Sequence, residues 1–177
     1  MANQDTLNRM ADVARLQYFK AKEQAFVASL ATSVTSGGTI NMQLSNPSDS
    51  GVSVDVSRFL FSSQFKGQFK IYDQFDTAPS GGSAVGIDNL LMDSGGNGAD
   101  TGSATANSGV TFTADGTPHF NSVLPGGGVG GTGTGGAGIG TEPIIEPGRE
   151  VVLELQNDGT EAAPGSIGVV YLEREDL

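Results

Sequence analysis

The sequence predicts an all-β domain preceded by an N-terminal α-helix, on three observations. Past residue 24, apolar and polar residues alternate along short runs, the period of a strand with one dry face. Gly, Ser, Asn, Asp and Pro separate those runs, as expected of turns between strands. Before residue 25 the character is different: apolar residues recur at three-and-four spacing, with neither Gly nor Pro.

The helix is expected from about Asp5 to Gln24. Leu7, Met10, Ala11, Ala14 and Tyr18 form one apolar stripe. Asp5 or Thr6 stands where a cap would accept the first free N–H groups, and Lys20 and Lys22 lie near the end that favours cations. Residues 1–24 therefore read as a helical arm and 25–177 as the β-domain. The stripe has two uses: packing on its own domain, or docking on a sister subunit or shell through Leu7, Met10, Ala14 and Tyr18.

Eight runs read as strands: AFVASLATSV, TINMQLS, VSVDVSRFLFSS, GQFKIYD, VGIDNLLM, GVTFTA, EVVLELQ and SIGVVYLER. Val52, Val54 and Val56 alternate with Ser53, Asp55 and Ser57, placing three branched side chains on one face. Val151, Leu153 and Leu155 repeat the pattern against Glu154 and Gln156, as do Phe69 and Ile71 against Lys70. From Ile167 to Leu172 the last run is apolar on both parities, which suits a strand covered on both sides or central in its sheet. Two long loops are expected, at 93–109 and 121–146. About eight strands without helical periodicity between them suit a two-sheet, jelly-roll-like sandwich, with a closed barrel as the competitor.

Charge narrows the partners. Nine Lys and Arg against 20 Asp and Glu give a net charge of -11 and a pI near 4.2. Such a field repels nucleic acid and anionic membranes, so neither is expected as a partner. It fits ordinary solubility, and equally a life in concentrated salt, where carboxylate repulsion is screened. The absence of cysteine removes disulfides and thiolate metal sites. The polar N-terminus lacks a signal peptide's apolar core, and no apolar run reaches the roughly 18 residues of a membrane span, so a soluble chain is expected.

The motifs that resemble chemistry dissolve on inspection. Gly128, Gly130 and Gly133 spell G-x-G-x-x-G, but they lie among ten glycines between Pro125 and Thr141 and are followed by Pro143 rather than a helix. GGNGAD, Gly95 to Asp100, begins a calcium-binding nonapeptide but occurs once, and such repeats share each ion between stacked turns. Asp93 and Asp100 are thus weak cation candidates, and a solvated turn is the competing reading. His119 is the sole histidine and stands without a G-x-S-x-G elbow, while Ser63 and Lys66 form an S-x-x-K without its companion motifs. No catalytic residue and no cofactor is expected. The lack of Trp and scarcity of Tyr weigh modestly against a sugar cleft.

The stretch LSNPSDSGVSVDVSRFLFSSQFKGQFKIYDQFDTAPSGG resembles small virion structural proteins of tailed viruses, bacterial and haloarchaeal. The matching pieces are Asn46 to Ser48, Gly51, Phe69 to Tyr72, Ser80 to Gly82, Pro147 to Gly148 and the closing VVYLERED, together spanning about two thirds of the chain. These are turns and strands, not reactive groups. The resemblance implies a capsid decoration or turret subunit: a β-sandwich homo-oligomer on the virion exterior, in contact with the major capsid protein or other virion proteins. With the acidic composition it implies a haloarchaeal host. A receptor- or carbohydrate-binding module using the loops at 93–109 and 121–146 is the alternative.

Overall fold

The computed structural model describes residues 24–90, 102–124 and 143–175, which contain thirteen strands and no helix. In chain order these are β1 (Ala25–Val34), β2 (Thr39–Asn46), β3 (Val52–Ser63), β4 (Gly67–Tyr72), β5 (Phe75–Ser80), β6 (Ser83–Ala84) and β7 (Ile87–Asn89). They continue as β8 (Thr105–Ser108), β9 (Thr111–Ala114), β10 (Phe120–Leu124), β11 (Ile144–Ile145), β12 (Arg149–Asn157) and β13 (Ala163–Glu175).

The pairing is antiparallel throughout and nested. β1 pairs with β13, β2 with β12, β3 with β11 and β4 with β10, so the first four strands meet the last four in reverse order. The resulting ladders run β11-β3-β13-β1-β7 in a five-stranded sheet and β10-β4-β12-β2-β8-β6 in a six-stranded one. Strands β5 to β9 are inserted between β4 and β10. β7 extends the first sheet beside β1, β8 and β6 extend the second beside β2, and β5 with β9 makes a small third sheet.

The alternation read from sequence fills one core between the two larger sheets. Val54, Val56, Phe61, Ile167, Val169 and Tyr171 come from the first, and Met42, Leu44, Phe69, Leu153 and Leu155 from the second. Phe61 of β3 stacks on Phe69 of β4 at 4.3 Å between ring centroids, joining the layers directly. β13 lies between β3 and β1, and Ile167 to Glu173 are all buried, the outcome its two-sided apolar run foreshadows.

Two buried asparagines fix the ends. Asn46 donates to the carbonyls of Val52 and Ile145, tying β2, β3 and β11 together. Asn157 donates to those of Val34 and Glu161 and accepts from Gly159 N–H. Gly67 must be glycine for a different reason: a Cβ there would run into the carbonyl of Gln156 on the neighbouring strand.

The structure corrects several expectations. β5, β6, β8, β10 and β11 were not anticipated. The stretches expected as loops at 93–109 and 121–146 contain β8, most of β10 and β11, because strands of two to five residues are too short to display a period. VGIDNLLM shortens to Ile87–Asn89. The polar face of β3 is not solvated: Ser53 and Asp55 are buried, with Ser53 donating to Glu146 and Asp55 paired to Arg174 at 3.4 Å. The expected helix and its stripe Leu7, Met10, Ala14 and Tyr18 lie outside the described residues. Gln24, its expected last residue, is not helical, and its carbonyl accepts the N–H of Glu173.

Candidate functional site

β4 ends at Tyr72, whose cross-strand neighbour on β12 is Val152. Over this end of the six-stranded sheet lies the third sheet: Phe112 of β9 packs on Tyr72 at 5.3 Å and on Phe75 of β5 at 5.7 Å, edge to face. Burial first, and the Glu154 carboxylate second, push the Tyr72 phenol above its ordinary range, so it stays protonated at neutral pH.

Between the β4–β5 corner and the start of β12 opens a groove of about 470 Å³, lined by Asp73, Gln74, Phe75, Asp115, Arg149 and Glu150, with Ala78 and Gly148 completing it. Local hydrogen bonds shape its walls. Asp115 N–H donates to the Gln74 carbonyl at 3.0 Å, and Arg149 N–H to that of Glu146 at 3.0 Å. Gly148 N–H donates to the Asn46 carbonyl at 2.8 Å, which brings the two turns NPS and PG side by side. The Gln43 amide donates to the Glu150 carboxylate. At the rim His119 Nδ1 lies 3.2 Å from Asp73 Oδ2, an ion pair whenever the imidazole is protonated.

Three carboxylates and one guanidinium beside an aromatic ring suit a hydroxyl-rich or cationic group held by hydrogen bonds. The groove lining contains no Ser, Thr or Cys. Ser63, half of the S-x-x-K pattern, spends its hydroxyl on the Phe65 carbonyl at 3.0 Å and so closes a turn. Among the described residues no three His, Asp or Glu side chains converge as metal ligands, and no helix is long and apolar enough to cross a membrane. Asp93 and Asp100 lie outside the described residues.

A second polar centre lies at the opposite sheet. The Glu173 side chain is buried at the end of β13 and accepts the N–H groups of Ser103 at 2.8 Å and Ala104 at 2.9 Å. Gly102 packs so closely on it that a Cβ would strike the carboxylate. The neighbouring Tyr171 phenol is pushed far up, chiefly by burial and then by the charge of Glu173.

Sequence reasoning found neither the groove nor the carboxylate latch. Their members come from segments far apart, and no spacing links Asp73 with Asp115 and Arg149, or Glu173 with Ser103. One signal was present: the NPS and PG turns that carry the virion resemblance meet at the groove's edge. No family model matches this chain, and no curated protein does.

Proposed function

We propose that this chain is a non-enzymatic virion subunit, a capsid decoration or turret protein of jelly-roll type that works as a homo-oligomer on the outside of the particle. The jelly-roll part of the reading is supported by the nested pairing of β1 with β13, β2 with β12, β3 with β11 and β4 with β10. A two-stranded ribbon folded over in this way is the jelly-roll plan, a fold common in viral capsid and lectin domains. The fold is shared by many functions, so the virion assignment rests on the resemblance of the turn and strand motifs, not on topology.

Its contacts would be with copies of itself and with the major capsid protein or other shell components, through shape rather than reactive chemistry. The N-terminal arm, residues 1–24, is the proposed attachment element. The exposed carboxylates Asp49, Asp76, Asp88, Asp115, Asp158, Glu161 and Glu175 favour a haloarchaeal source, since strong salt screens their repulsion.

Immunogold labelling tests this reading: antibodies to the chain should mark the exterior of intact virus particles from a culture that produces it. Label confined to cells or debris would refute it. A second reading, a receptor- or carbohydrate-binding module, draws on the groove beside Phe75, Asp73 and Arg149. Glycan-array binding lost in Asp73→Ala would favour it.

A further inference from the structure

Two large apolar side chains stand exposed among the described residues, Val123 at 70% and Ile144 at 50%, and both belong to edge strands. Val123 is on β10, the edge of the six-stranded sheet, and Ile144 on β11, the edge of the five-stranded one. The layers align so that β3 covers β4, as the Phe61–Phe69 stack shows, which puts β11 and β10 on the same side of the molecule.

The four edges of the two large sheets differ in kind. β6 and β11 have two residues each, and β7 has three, including the exposed Asp88. β10 has five residues, Phe-Asn-Ser-Val-Leu, without charge or proline. Edge strands are ordinarily blunted by shortness, by charges or by proline, since bare N–H and C=O groups invite another strand. β10 is the longest of the four edges, and none of its five residues is charged or a proline. Its inward residues Phe120 and Leu124 anchor it, Phe120 meeting Phe69 edge to face at 6.2 Å, so the strand is held in place, and among the described residues no strand pairs with its other side.

We propose that β10 is the strand through which a second copy of this chain joins, pairing antiparallel with its own counterpart about a twofold axis, with Val123 and Ile144 covered at the contact. This rests on the homo-oligomeric reading above and says where the assembly forms. Charge argues for this place of contact: two copies of net charge -11 meet with least repulsion where no charged side chain stands, and β10 and β11 contribute none. A cationic partner would be drawn to the acidic faces instead. Main-chain pairing supplies affinity at such an edge, and a twofold contact is self-complementary.

Sedimentation velocity of the full chain, with Val123→Lys and an Ala84→Lys control on the opposite edge strand β6, tests it. The wild type and the control should sediment as oligomers, and Val123→Lys should dissociate at least tenfold more readily while keeping its β-sheet circular dichroism. Hydrogen exchange adds a measurement without mutation: amides of residues 120–124 should gain protection on assembly. An assembled Val123→Lys, or β10 amides that stay unprotected in the oligomer, overturns the edge contact while leaving the oligomeric reading intact. A wild type that is monomeric overturns both.

Discussion

The eight nested strands and the inserted segment β5–β9 belong to one molecule but are held by different physics. The nested strands are joined by apolar burial: Phe69, Leu44, Leu153 and Val169 are fully buried, and their strands run mostly six residues or more. The insertion has few such side chains, and its strands run six residues at most. It is fastened by side chains of the nested strands reaching out to its backbone. Glu173 takes two N–H groups at residues 103 and 104, while Asn41 both donates to the Val110 carbonyl at 3.0 Å and accepts its N–H at 2.9 Å. The nested strands therefore carry stability, and the insertion can vary in sequence so long as these polar fasteners persist.

Substitutions separate the two regions, the largest effect first. Phe69→Ala removes a ring that touches both layers and should cost about 3–5 kcal/mol, read as a lowered unfolding midpoint in denaturant. If it costs under about 1 kcal/mol, the two sheets do not share a core. Glu173→Gln keeps the shape of the side chain but weakens a charge-assisted acceptor of two backbone donors, for a loss of about 1–3 kcal/mol. Its signature is local: amides of Ser103 and Ala104 should exchange faster while those of β12 and β13 hold.

Asn41→Ala should cost about 1–2 kcal/mol and release the Val110 amide, again without loosening the nested strands. A global loss of protection in either fastener variant would erase the distinction between the regions. The smallest effect is expected from Tyr171→Phe, within about 1 kcal/mol at neutral pH. Its consequence appears in alkali. The folded phenol titrates above the unfolded one, so its contribution to stability is complete below about pH 10 and is lost as pH rises beyond it. Tyr171→Phe should therefore unfold at higher pH than the wild type, followed by circular dichroism, and an unchanged alkaline midpoint would contradict the burial of that hydroxyl.

The same contrast explains what could be read in advance. β1 and β3 are legible to the residue, because runs of ten and twelve residues without Gly or Pro, with branched and aromatic side chains recurring along them, stand out between turn residues. Ile144–Ile145 is too short to show a period, and so is Thr105–Ser108, four residues between β2 and the two-residue edge strand β6 with only Ala106 buried. The dry face of β3 was legible in its valines. The burial of Asp55 opposite was not, since it depends on Arg174 arriving from a strand more than a hundred residues away. The groove escaped for the same reason. Asp73, Asp115 and Arg149 are brought together by the insertion folding back over β4 and β12, and nothing in their local sequence encodes that return.

Sedimentation equilibrium of the full chain in strong salt decides whether the proposed homo-oligomer forms. A homo-oligomer gives a species whose mass is a whole multiple of 18.0 kDa, greater than one, at micromolar concentration. A single species at 18.0 kDa across the concentration range would contradict it.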